Sequence, residues 1–138
     1  MTRKEQREAT FELLFEREFR LEETAEEIFA LSTENRDIDP IKEKYIKETY
    51  FGVIEHESEI DALISEASEG WKLSRLSKAT RSTIRLCVYE MLFCKDIPHT
   101  VSINEALELV KKFDDPKSRA FTNGVLNNIK TKIESRNE

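Results

Sequence analysis

Helix-start signals recur along this sequence and limit its fold more than any other feature. Three capping boxes are present, Thr2 with Glu5, Thr24 with Glu27 and Ser102 with Glu105. Each places a hydroxyl at the N-cap and a carboxylate at N3, where each side chain satisfies the other residue's backbone N–H. Asp39-Pro40 and Asp115-Pro116 mark two further starts, because proline at the first helical position gives up only an N–H that has no partner there. The remaining proline, Pro98, is expected at the exit from a long helix, since the residue before proline is pushed out of the helical region. Only three Gly and three Pro occur in 138 residues, too few for the tight turns of a many-stranded sheet. The expected fold class is all-α.

Apolar residues at helical spacing between these marks read as seven helices. The first, about 3 to 19, carries Phe11, Leu14 and Phe15 with Ala9 and Leu13 beside them. A short second, about 25 to 31, precedes a polar loop at 35 to 39, and a third from Pro40 carries Ile46, Tyr50, Val53 and Ile54. These three are expected to form a small bundle. The fourth carries Ile60, Leu63, Ile64 and Ala67 and stops near Gly70, a residue suited to the left-handed C′ position. The fifth, about 78 to 93, is apolar on most faces and so is expected to be central. The sixth runs from 103 to 113 and the seventh from 116 to about 133.

No stretch approaches the roughly 20 apolar residues that span a bilayer, and no signal-peptide core follows the N-terminus. A cytosolic protein is expected, with no membrane partner. Cys87 and Cys94 lie on one helix, roughly 10 Å apart along its axis and too far to bridge. With His56 and His99 the only histidines and no Cys pair at ligand spacing, neither a metal site nor a cofactor is expected. No phosphate-binding glycine loop, nucleophile elbow or catalytic carboxylate pair appears. Catalytic residues are therefore not assigned, and an enzyme is not indicated. Trp71 reads as a packing anchor at a helix junction rather than a stacking platform.

The net charge of -6 and pI near 5.2 argue at face value against nucleic acid. Charge is nevertheless segregated along the chain. Residues 1 to 20 are neutral, and residues 21 to 69 hold four basic and fifteen acidic side chains, net -11. Residues 70 to 89 hold Lys72, Arg75, Lys78, Arg81 and Arg85 without one acid, and residues 90 to 138 are neutral again. Such a distribution points to two binding faces of opposite preference. Arg3, Lys4 and Arg7 also crowd the start of the first helix, where the macrodipole disfavours cations. A phosphate ligand accounts for them better than helix stability does.

The second half of the chain carries a linked series of motifs: Trp71-Lys72-Leu73-Ser74-Arg75-Leu76, Thr83-Ile84-Arg85-Leu86, Tyr89-Glu90-Met91-Leu92, Asp96-Ile97-Pro98, Val101-Ser102-Ile103-Asn104-Glu105-Ala106, Leu109-Val110-Lys111 and Phe121-Thr122-Asn123-Gly124-Val125-Leu126. In order and spacing this series resembles the NusB family of transcription antitermination factors. The Arg-rich start followed by Ala9, Leu13, Leu14 and Phe15 is similar to that family's first helix. Glu5 and Glu8 dilute the arginine run, and Thr80 stands where an acid is common.

The resemblance implies a single domain, 1 to 138, of two antiparallel bundles forming one compact unit, with three helices in 1 to 56 and four in 57 to 138. It implies binding of boxA RNA together with the ribosomal protein NusE, in support of processive transcription of ribosomal RNA operons by the transcription elongation complex. Both monomers and homodimers are compatible with it. RNA contacts carry over to Arg3, Lys4 and Arg7 and to Lys117, Ser118, Arg119 and Phe121. Structural roles fall to Arg85 and Glu90 as polar links, Ser102 and Glu105 as caps of the sixth helix, Asn123 as a backbone tie or ligand-facing group, and Gly124 as a site of close helix packing. The alternative is a helical scaffold that grips a basic protein through its acidic stretch without touching RNA.

Overall fold

A computed structural model describes residues 1–68 and 73–136; Gly70, Trp71 and Lys72 lie outside these. The described residues form seven α-helices and one 3₁₀ turn, with no strand. They fall into two compact units, Met1–Glu55 and His56–Glu138.

The first unit holds α1 (Arg3–Arg17), α2 (Ala25–Asn35) and α3 (Lys44–Glu55). Thr2 and Glu5 form the reciprocal capping box of α1, whereas at α2 the Thr24 hydroxyl accepts from the Glu27 N–H. Phe11, Leu13, Ile28, Ile46 and Tyr50 are fully buried between the helices. The Tyr50 hydroxyl donates to the Ala25 carbonyl at 2.9 Å, and burial pushes its phenol up to about 12.

α2 runs one turn beyond the expected end. Its last polar residues are satisfied within the unit: Ser32 donates to Glu16 and Thr33 to the Phe29 carbonyl. Asp37, with φ 54°, then turns the chain, while the Ile38 N–H reaches back to the Thr33 carbonyl. Asp39-Pro40 does not begin α3. The Asp39 carboxylate accepts from the N–H groups of Ile41 and Lys42, closing a separate turn before the helix starts at Lys44.

The second unit holds α4 (Glu57–Ala67), the 3₁₀ turn Leu73–Arg75, α5 (Lys78–Phe93), α6 (His99–Phe113) and α7 (Lys117–Arg136). α5 packs against α4, α6 and α7, and ten of its sixteen residues are buried. Arg85 on α5 forks onto the Asp61 carboxylate of α4 at 2.8 and 2.9 Å. At α7, the Asp115 carboxylate accepts from the Lys117 N–H at 2.9 Å, leaving Pro116 in the donor-free position.

Two assignments at α6 and α7 are corrected. Ser102 and Glu105 do not cap α6, which begins at His99 with Pro98 at the N-cap. The His99 ring lies between the Met91 carbonyl and Glu134, 3.2 Å from each, and ties the early start to α5 and α7. Ser102, one turn inside, is 1% exposed and donates to the buried Glu90 at 2.7 Å. Gly124 is not a packing glycine: it lies on the exposed side of α7, and a Cβ there would meet nothing within 4 Å. Its neighbour Asn123 accepts from the Asn127 side chain. Gly124→Ala is expected to raise stability by about 0.5–1 kcal/mol, since alanine loses less backbone entropy on folding. Thermal unfolding checks this, and a fall in Tm would restore the packing role.

Candidate nucleic-acid interface

Cations gather at one end of the first unit. Arg3 and Lys4 are exposed in the first turn of α1. The Arg3 guanidinium lies 4.4 Å above the Tyr45 ring of α3 and donates to the Gln6 side chain at 3.1 Å, which holds the charge outward on an aromatic base. Arg7 is only 5% exposed. It shares a helix face with Phe11 and Leu14, at i, i+4 and i+7, so the register of α1 draws it into the bundle near Tyr45. The exposed cations at this helix start are therefore Arg3 and Lys4, while Arg7 is largely covered beside Tyr45.

A cleft of about 320 Å³ in the second unit brings together Arg75, Leu76, Ser77, Thr80, Asp115, Lys117, Ser118 and Phe121. Three of the four residues expected there, Lys117, Ser118 and Phe121, line it, and the fourth, Arg119, is exposed one position further along α7. The volume lies at the small end of ligand clefts and suits a single planar group. The Phe121 ring offers such a group an apolar face. Arg75 and Lys117 provide cations, and Ser118 provides a hydroxyl.

Asp114, at the C-cap of α6, fixes one wall. Its carboxylate accepts from the hydroxyls of Ser77 and Thr80, at the start of α5, and from the Asp115 N–H at 2.7 Å. Burial pushes its carboxyl up, but the hydrogen bonds from Ser77 and Thr80 outweigh that and hold it below the ordinary aspartate value. Ser77 is also the N-cap of α5, accepting from the Thr80 N–H. Sequence reading missed this cluster: Ser77 lacks the acidic N3 residue of a capping box, and Asp114 lies 34 residues from Thr80.

The uniformly basic stretch does not form one face. Arg85 pairs with Asp61 and Glu57, and Arg81 donates to the carbonyls of Leu73 and Leu76. Among the described members of the stretch, Arg75 is the one that lines the cleft. Among the described residues, no group of His, Cys, Asp and Glu is placed to hold a metal, and no helix is long and apolar enough to cross a membrane.

The sequence pattern of the NusB family matches residues 4–131. The chain belongs to the NusB family. It is 47% identical over 127 residues to the transcription antitermination protein NusB of Agathobacter rectalis, covering 91% of this chain and 97% of that protein. T. maritima NusB superposes with a TM-score of 0.87 at 38% identity, covering 95% of this chain and 92% of the other. The fold also matches a chain in a crystal structure of antitermination factors NusB and NusE in complex with dsRNA. That match has a TM-score of 0.82 at 29% identity over 96% of this chain and 99% of that one.

Because the folded-state carboxyl of Asp114 is depressed, its stabilising contribution is full above the ordinary aspartate range and is lost as pH falls through its lowered value. Asp114→Asn is expected to cost about 1 kcal/mol at neutral pH, the value of hydrogen bonds to a charged group discounted for the solvent that reaches this half-buried carboxylate. The gap from wild type should narrow in acid. Chemical denaturation across pH checks this; a gap constant with pH would remove the carboxylate from the account.

Proposed function

We propose that this chain is a transcription antitermination factor that binds boxA RNA together with the ribosomal protein NusE and acts with the elongation complex in the cytoplasm. The carrying observation is the cleft of the second unit, where the Phe121 ring, two cations and the Ser118 hydroxyl converge within about 320 Å³. That set suits a splayed-out base with its phosphate, the form in which single-stranded RNA is read. The likeness across nearly the whole chain to a NusB in complex with NusE and dsRNA supports the reading.

Each residue has a physical part in this proposal. Phe121 stacks on a base, while Arg75, Lys117 and Arg119 meet backbone phosphates and Ser118 adds a hydroxyl contact. In the first unit Arg3 and Lys4 position the strand. The exposed acids Glu22, Glu26 and Glu27 give a basic ribosomal protein a complementary surface.

The full chain is expected to prefer boxA over a scrambled RNA, and to do so more strongly with NusE present. Phe121→Ala should lower affinity about 5- to 150-fold, the loss of one stack worth about 1–3 kcal/mol. Fluorescence titration of labelled RNA reads both effects. Equal binding of the two RNAs, with and without NusE, would contradict the proposal, and NusE binding with no RNA shift at any salt would favour a protein-only scaffold.

A further inference from the structure

We propose that the RNA track of the first unit continues from α1 onto the start of α3, where Lys42, Lys44 and Lys47 contact phosphates beside Ile41; this rests on the RNA reading above. The segment net charge conceals these residues. Of the four cations in residues 21 to 69, three fall within the six positions 42 to 47. All three are exposed. The one acid between them, Glu43, is buried and accepts from the Gln6 side chain at 2.6 Å, so it faces inward while the lysines face water.

The same contacts place the cluster next to the one on α1. Gln6 reaches Glu43 and Arg3 covers the Tyr45 ring, so the starts of α1 and α3 lie at one end of the unit. Arg3, Lys4, Lys42, Lys44 and Lys47 are thus exposed cations on neighbouring starts of two helices, with Glu48 the exposed acid that follows Lys47. Helix stability does not explain these cations. α3 has no acid in its first turn and begins with a lysine, the sign its dipole disfavours. Lys44 and Lys47 make no ion pair among the described residues, so intramolecular pairing does not account for them either.

Ile41, 81% exposed, adds an apolar contact among these charges. Cations interleaved with apolar groups favour a nucleic-acid strand, which presents phosphates and base faces together, over a merely solvated charged face.

The test is the salt dependence of binding between the full chain and a short single-stranded boxA RNA. Each phosphate contact on a single strand adds about 0.7 to the slope of log K against log salt. The triple variant Lys42→Gln, Lys44→Gln, Lys47→Gln is expected to flatten that slope by about two units with Tm unchanged. Lys95→Gln, at an exposed site in the second unit, should leave it unaltered. A triple variant with the wild-type slope, while Arg3→Gln with Lys4→Gln flattens it, would overturn this inference and leave the RNA reading standing. No RNA binding by the wild-type chain, with or without NusE, would overturn both.

Discussion

One carboxylate ties together the chain segments that enclose the cleft of the second unit. Asp114 ends α6, takes hydroxyl hydrogen bonds from the first turn of α5, and accepts the N–H of the residue that leads into α7. Hydrogen bonds to a charged acceptor are roughly twice as strong as neutral ones and demand tighter geometry. Of the residues that line the cleft, Ser77 and Thr80 are held directly by this side chain, and the chain leading to Lys117, Ser118 and Phe121 is held through the Asp115 N–H. Preorganisation of this kind lowers the ordering cost that binding must otherwise meet.

Placement, rather than number, decides what the basic residues do. Arg7, Arg81 and Arg85 are drawn inward to an aromatic ring, to backbone carbonyls and to a carboxylate fork. Arg3, Lys4, Arg75 and Lys117 remain at surfaces where phosphate can approach. The acidic total is compatible with this division, since a phosphate responds chiefly to the charges within a screening length of it and not to the net charge of the chain.

Much of this was legible in the residues, for identifiable reasons. Capping and periodicity are local, so Thr2 with Glu5, the full extent of α5 and the lead-in to α7 follow from spacing. The cleft residues Lys117, Ser118 and Phe121 came from motif resemblance, and Arg75 was visible as part of a basic run. What escaped depends on distant partners. Ser102 reads as a cap until Glu90 is placed beside it, α6 starts early because His99 meets Met91 and Glu134, and Gly124 reads as a packing residue until its surroundings prove open. Asp114 is mute in sequence because its acceptor role exists only once α5 has folded against α6.

The most direct measurement of the central claim is a map of backbone amide shifts as boxA RNA is titrated into the isotope-labelled full chain. Shifts are expected at the starts of α1 and α3 and around the cleft from Arg75 to Phe121, with the exposed face of α2 unmoved. Shifts confined to the acidic α2, or none at RNA concentrations that saturate the chain in the presence of NusE, would contradict the account.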